Sequence, residues 1–255
     1  MTIDRRTFLQ HAATVAVTMA TGAPALAQMA TLASVAYLSR RLDVTHEAYR
    51  EWYITHHAVD FMSFAKPHMS RYSQDFVERA HMGDVDFDVI SQFGWRSADH
   101  RATTLKFMGT PEGKAVMALH PNIGSKPGPN EDHSGSRTYA IEERLVAGPA
   151  RRYDKPATTK QAALLRRKGD VTPEAFSRAV NNYAGNVFKK ANGDAARVTI
   201  NFAVPEAGRP APFHDAIVMV WPKTGINLAG AMKDAEPGIE IANILDLMGY
   251  DADLG

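Results

Sequence analysis

The sequence predicts an α+β fold built from two tandem β-α-β-β-α-β modules behind a cleavable leader. Three observations carry that reading. The segment Leu38 to Arg50, with Asp43-Val44-Thr45 and Glu47-Ala48-Tyr49 inside it, recurs as Leu165 to Ser177, with Asp170-Val171-Thr172 and Glu174-Ala175-Phe176. Arg71 to Val77 then recurs as Arg197 to Ala203, and Phe87 to Trp95 as Phe213 to Trp221. The blocks keep their order with a single one-residue slip, which is the signature of an internal repeat.

Each copy opens with a strand, expected near Ala33–Arg40 and Gln161–Arg167. Asp-Val-Thr ends the strand and starts a helix. Thr45 and Thr172 suit the N-cap, Pro173 suits the first helical position, and Glu47 and Glu174 favour the positive helix end. Strand two is expected over Ser70–Val77, with Tyr72, Gln74 and Phe76 on one face. Strand three is expected over Phe87–Trp95, alternating Phe87, Val89, Ser91, Phe93 and Trp95 onto one face. A second helix follows over Ser97–Leu119, broken at Pro111, and a fourth strand over Arg137–Val146. The second copy is degraded late: Gly225–Gly238 makes a poor helix, and Ile241–Met248 reads as a strand. Arg151–Thr159 reads as the linker, giving modules at 28–150 and 151–255.

This element order is a ferredoxin-like split βαβ, a sheet with helices on one face and the other face in need of cover. Two copies in one chain can cover each other sheet to sheet. The helix Thr45-His46-Glu47-Ala48-Tyr49-Arg50-Glu51-Trp52-Tyr53-Ile54-Thr55-His56-His57-Ala58 resembles the EthD-like branch of the dimeric α+β barrel superfamily. Ser70-Arg71-Tyr72, Phe87-Asp88 with Trp95, and Gly109-Thr110-Pro111-Glu112-Gly113-Lys114 resemble its later blocks. The chain departs from that pattern at Val59, where Pro is usual, and in a Pro/Gly-rich insertion over Pro121–Ser136. The resemblance implies an intramolecular barrel and a superfamily of isomerases, cyclases, lyases, cofactor-free oxygenases and some haem proteins.

The leader is read from Asp4-Arg5-Arg6-Thr7-Phe8-Leu9-Gln10, close to the twin-arginine export consensus. The apolar stretch Ala12–Ala20 is too short to span a bilayer. Pro24-Ala25-Leu26-Ala27 places small residues at both positions read by signal peptidase, so residues 1–27 are expected to be removed before Gln28 and the mature protein to be periplasmic. The formal charge is +1 and, with Arg5, Arg6 and Asp4 gone, the mature chain is balanced, which gives no field to gather nucleic acid. The absence of cysteine excludes disulfides, thiolate metal sites and a Cys nucleophile. No glycine-rich phosphate loop and no His-x3-His pattern is present, so no metal and no cofactor is expected.

The chemistry is sought among ten histidines and the aromatic residues. On an α-helix Tyr49, Trp52, Tyr53 and His56 share an inward stripe, with His57 at its edge and Tyr183 of the second copy matching His56. His56 or His57 is the expected general acid–base, since imidazole titrates near working pH. Tyr72, with His68 or His120, is the expected oxyanion donor. Trp52, Tyr53, Phe93, Trp95 and His133 are expected to bind the substrate. Asp88 and Arg71 can form a cross-strand ion pair. The leading expectation is a cofactor-independent lyase, isomerase or cyclase acting on a small aromatic or hydroxylated molecule, catalytic in its first copy, with self-association left open. Two alternatives stand beside it: a cofactor-free or haem-dependent oxygenase, and a non-catalytic binding protein.

Overall fold

The computed structural model describes residues 31–41, 43–118, 138–149, 158–208 and 211–254. The leader, the whole insertion and most of the linker lie outside them. Among the described residues there are eight strands: β1 (Thr31–Leu38), β2 (Met69–Met82), β3 (Val89–Trp95), β4 (Thr138–Ala147), β5 (Thr158–Arg167), β6 (Ala195–Val204), β7 (Ala216–Pro222) and β8 (Ile239–Asp253). They close into one antiparallel barrel in the order β1-β3-β2-β8-β5-β7-β6-β4. The first half of the chain supplies β4-β1-β3-β2 and the second supplies β8-β5-β7-β6, the same spatial order. The seams are β2/β8 and β4/β6.

Helices cover the outside of the barrel. In the first half these are α1 (His46–Trp52), a π-helical turn (Tyr53–His57), α2 (Ala58–Ala65), α3 (Ala98–Met108) and α4 (Pro111–Ala118). In the second half α5 (Pro173–Lys190) stands alone apart from a 3-10 turn at Ala229–Met232. The Gly225–Gly238 stretch therefore forms one short turn rather than a helix, as its glycine and proline content favours. β2 runs to Met82 and β8 from Ile239 to Asp253, both longer than the sequence suggested. The cause is the seam: each has a partner strand on its outer edge that keeps the ladder going after the hairpin neighbour has ended.

Local devices repeat between the halves. Thr45 Oγ1 accepts from the Ala48 amide and Thr172 Oγ1 from the Ala175 amide, both at 3.2 Å. The Arg40 amide donates to Asp88 and the Arg167 amide to Asp215, at 2.7 and 2.8 Å, and the two guanidinium groups donate to the Val44 and Val171 carbonyls. Asp88 is thus the partner of Arg40, and Arg71 pairs with Glu143 instead, so the expected Arg71–Asp88 pair does not form. Arg71 stands opposite Gly94, whereas Asp88 bonds beside Val77 at the other end of the β2/β3 ladder, and that length of strand separates them.

One repeat block needs correction. Trp95 faces the helices, packed with Phe61 and Tyr72, whereas Trp221 faces the barrel interior with Met219 and Ile217. The ladders match Gln92 to Met219, because Ser73↔Gln92 in one half occupies the place of Thr199↔Met219 in the other. Aligning the tryptophans slips β7 by one residue, and in a strand that exchanges its faces. Phe87 also precedes β3 and packs at the barrel end on Tyr37, with ring centroids 4.8 Å apart.

The barrel interior is apolar at its centre, where Val35, Ile141, Leu164, Met219 and Leu245 meet. Ion pairs reach across the boundary between the halves. Lys160 of β5 donates to Asp75 of β2 at 2.5 Å and to Ser73 Oγ at 2.9 Å, with both charged side chains wholly buried. Arg197 of β6 meets Glu143 of β4 at 3.3 Å, and Arg71 meets the same carboxylate at 2.5 Å. Gly249 lies beside the first pair: a β-carbon there would come within 2.5 Å of Lys160 Cε and 2.7 Å of Asp75 Oδ1. The glycine lets the lysine cross the sheet.

Candidate active site

The first helix is not uniformly α-helical. The Ala58 amide donates to the Tyr53 carbonyl, an i→i+5 bond, and Tyr53–His57 form a π turn. Such a turn is one residue wider than an α turn and recurs at functional sites. The one-residue slip between the repeat blocks falls inside it. Before the turn Tyr49 and Tyr53 match Phe176 and Val180; after it His57, Phe61 and Ala65 match Tyr183, Val187 and Ala191. All five second-half residues are buried, in one stripe that follows the continuous α5 to its C-cap at Ala191. The extra residue rotates His57 inward to the place of Tyr183 and turns His56 outward. His56 is exposed, its Nδ1 bonded to Thr55 Oγ1 at 2.8 Å. The expected inward position of His56 assumed α-helical winding, and the wider turn overturns it.

His57 lines a cavity of about 260 Å³ between the helices and the outer face of the first-half sheet. Ala36, Phe61, Phe93, Trp95 and Leu105 form its apolar walls, and Ser34, Tyr53, His57, Arg101 and Thr138 bring polar atoms to it. The His57 ring packs on Tyr53, with centroids 4.4 Å apart, and reaches Trp52 at 5.7 Å.

Tyr53 is buried, and its hydroxyl lies 2.8 Å from Ser91 Oγ. It is also bonded to the Tyr72 hydroxyl, which accepts from Gln74 Nε2 at 3.2 Å. Burial pushes the Tyr53 phenol well above its usual range, with the neighbouring Tyr72 and Tyr49 adding to the rise. Burial also raises Tyr72 to about 12, against the opposing pull of hydrogen bonds from Gln74, Tyr53 and Ser91. Both phenols therefore stay protonated and can donate. Tyr72 sits one hydrogen bond behind the cavity wall, and Tyr53 lines it.

The remaining sequence candidates separate. Phe93 and Trp95 line the cavity, as does Tyr53. Trp52 stacks on Tyr49 behind it. His68, at the start of β2, packs against His100 with centroids 5.2 Å apart and does not line the cavity. His120 and His133 lie outside the described residues. No cluster of three or more metal-ligating side chains exists among the described residues, and among them no helix is long and apolar enough to cross a membrane.

Sequence reasoning missed Ser34 and Arg101. Trp95 Nε1 and Arg101 Nε both donate to Ser34 Oγ at 3.0 Å. Arg101 also forms a bidentate pair with Glu206 of the second half, at 2.7 and 2.8 Å. A usable signal was present in β1, where Ser34 and Ala36 alternate toward the helices. Small residues on a helix-facing strand leave room. At the equivalent strand position of the second half stands Gln161, whose amide is tied to Asn227, Asp246 and the Leu228 amide, and that space is filled.

No protein-family model matches the chain, and no curated protein matches it. Among solved structures, a provisionally assigned monooxygenase from Lactobacillus acidophilus NCFM is 8% identical with a TM-score of 0.45, over 89% of this chain and 97% of that one. A provisionally assigned chlorite dismutase is 13% identical with a TM-score of 0.48, over 89% and 96%. A chlorite dismutase from Candidatus Nitrospira defluvii, in complex with imidazole, is 11% identical with a TM-score of 0.45, over 86% and 90%. Similarity at this level carries no information about chemistry, which has to be read from the site's own geometry.

Proposed function

We propose that this chain is an enzyme that binds a one- or two-ring hydroxylated aromatic molecule in the first-half cavity and moves a proton with His57. The observation that carries the reading is the π turn, which brings an imidazole to an aromatic-walled cavity where the second half has a packed tyrosine. The volume sets the ligand. A cavity of roughly 150 Å³ accepts benzene, so about 260 Å³ suits two fused rings.

A haem does not fit these residues. Its four-pyrrole macrocycle exceeds a cavity of about 260 Å³. In the second half Tyr183 fills the matching place and donates to the Met232 carbonyl at 2.6 Å. No step is assigned to haem.

The reading supported best is cofactor-free oxygenation. His57 removes a proton from a ring carbon activated by a neighbouring carbonyl or phenol oxygen. The carbanion gives its electron pair to dioxygen, forming a carbon–oxygen bond, and His57 returns the proton to the peroxide. The reacting carbon is a ring CH2 beside a carbonyl, the keto form of a phenol included; its second hydrogen leaves as a proton while the O–O bond breaks, so a carbonyl remains, one oxygen atom enters the product and the other leaves as water. A lyase needs a second acid at its leaving group. Among the described residues, the other ionisable side chains lining the cavity are Tyr37 and Tyr53, both raised by burial and hydrogen-bonded, and Arg101, paired with Glu206. An isomerase is the second reading, since one base can take and return the same proton.

The wider assignments belong to the same proposal. The halves are diverged copies of one ferredoxin-like module, at 28–150 and 151–255, related to the EthD-like branch. The first is catalytic, and residues 1–27 direct twin-arginine export to the periplasm. The test is an oxygen electrode with hydroxylated naphthalenes and tetralones, coupled to product mass. Oxygen uptake equal to substrate loss supports the oxygenase, and isomeric product without uptake supports the isomerase. Tight binding with no turnover returns the chain to a carrier role. Ligand binding that survives Leu105→Trp, which blocks the cavity, overturns the site.

A further inference from the structure

We infer that Ser34 is the anchor for an acceptor oxygen of the ligand, a carbonyl or phenolate, held ready by Trp95 and Arg101; this rests on the cavity being the ligand site. A serine hydroxyl has two lone pairs and one proton. Both lone pairs of Ser34 Oγ are taken, one by Trp95 Nε1 and one by Arg101 Nε. The proton has no acceptor among the described residues. The side chain is 3% exposed, so bulk water does not serve it, yet it lines the cavity. A donor whose acceptor positions are both occupied can point in one remaining direction, and the remaining space is the cavity.

The two donors also set the character of that proton. Each draws electron density from the oxygen, one of them from a guanidinium, and chains of hydrogen bonds strengthen each member. The Ser34 hydroxyl is thus a polarised donor at the wall of an otherwise apolar cavity, suited to an oxygen that gains negative charge. Arg101 acts through Ser34, so it is a positioning residue. Its own orientation is fixed by Glu206, which comes from the segment after β6 in the second half. The site in the first half is therefore completed by the second.

The inference distinguishes ligands of one shape. The probes are 1-tetralone, which carries a carbonyl, and tetralin, the same two-ring skeleton without it, with binding followed by quenching of tryptophan fluorescence on the intact mature chain. The wild type should bind the ketone about tenfold more tightly than the hydrocarbon, the usual value of one well-placed hydrogen bond of about 1.4 kcal/mol. Ser34→Ala should bring the ratio to near one by weakening the ketone alone, and Ser34→Thr should restore it. Arg101→Gln and Glu206→Gln should each lower the ratio partway while leaving tetralin affinity within about twofold. Comparing the two probes within each variant cancels any general loss of stability. A ratio unchanged in Ser34→Ala, or equal binding of both probes to the wild type, overturns the anchor while leaving the cavity as a binding site. Failure of both probes to bind overturns the cavity as well.

Discussion

The helix–sheet interfaces of the two halves share a strand order and a helix start, yet one is hollow and the other solid. In the second half α5 runs unbroken from Pro173 to Lys190 and lays Phe176, Val180, Tyr183 and Val187 flat on the sheet. Gln161 fills the space beneath with three hydrogen bonds. In the first half a π turn interrupts the matching helix, and Ser34 and Ala36 stand on the strand below it. One inserted residue and small strand side chains are enough to convert a packed interface into a cavity with a histidine on its wall. The difference shows that a change in helix winding can reshape a helix–sheet interface without any change in topology.

The largest expected effect separates the adjacent histidines. His57→Ala should lower turnover by ~10²–10⁴-fold, the usual range for general acid–base assistance. His56→Ala, at an exposed position, should leave turnover within about twofold. The measurement is kcat on folded protein, checked by an unchanged melting transition. Equal losses in both variants would mean that the π turn does not set which imidazole faces the substrate.

The seams are the next point of contrast. Across β2/β8 the charge relation is Asp75 with Lys160; across β4/β6 it is Glu143 with Arg197, the same carboxylate also taking Arg71 of β2. Removing one member of a buried pair leaves an uncompensated charge. Lys160→Met should therefore cost roughly 3–5 kcal/mol in urea unfolding. Replacing both, as Asp75→Leu with Lys160→Met, should recover most of that loss, because apolar residues can replace a buried pair with little penalty. Both halves should unfold in one transition throughout, since each seam is shared. A double variant no better than the single would show that the interior cannot accept the replacement side chains.

His214 offers the opposite case to His57, an imidazole shut inside the barrel end. It is 1% exposed, 3.3 Å from the Tyr37 hydroxyl. Burial lowers its pKa to about 4, with Arg166 adding to the fall and Asn243 and Asp86 opposing it. Between that value and about 6.5 the unfolded chain binds a proton that the folded chain refuses, so stability must fall as pH falls through this window. Above about pH 6.5 the contribution is fully present. The loss on reaching pH 4 is on the order of 3 kcal/mol. Denaturation measured at pH 7.5 and 4.5 should show a smaller difference in His214→Phe than in the wild type. The same difference in both would assign the acid sensitivity to other groups.

Strand and helix order was legible because it depends on local chemistry: Thr45 and Thr172 as caps, Pro173 at the first helical turn, and alternation along β2 and β3. The ends of β2 and β8 were not, because a seam partner distant in sequence prolongs them. His57 was in view but set at the edge of the stripe, since the 3.6-residue period cannot foresee a π turn. The slip between the repeat blocks already marked the inserted residue, and read as a helical insertion it would have moved His57 inward. Ser34 and Arg101 belong to no motif. They bond directly, beside Trp95, from three separate elements, and only the packing of α3 on β1 and β3 brings them together.

The smallest effect tests the solid side of the comparison. Tyr183 occupies the place that His57 holds in the first half, but it is 1% exposed and donates to the Met232 carbonyl at 2.6 Å. Burial raises its phenol, and Asp234 adds to the rise, so it remains a donor at every working pH. Tyr183→Phe keeps the ring and its packing and removes only that bond. The carbonyl left behind is buried, so the cost should be about 1 kcal/mol, a fall of roughly 2–4 °C in melting temperature for a chain of this size. Turnover and the ketone-to-hydrocarbon binding ratio should both be unchanged. If Tyr183→Phe altered either without unfolding the protein, the second-half interface would be part of the chemistry, and the division between a hollow working half and a solid supporting half would fail.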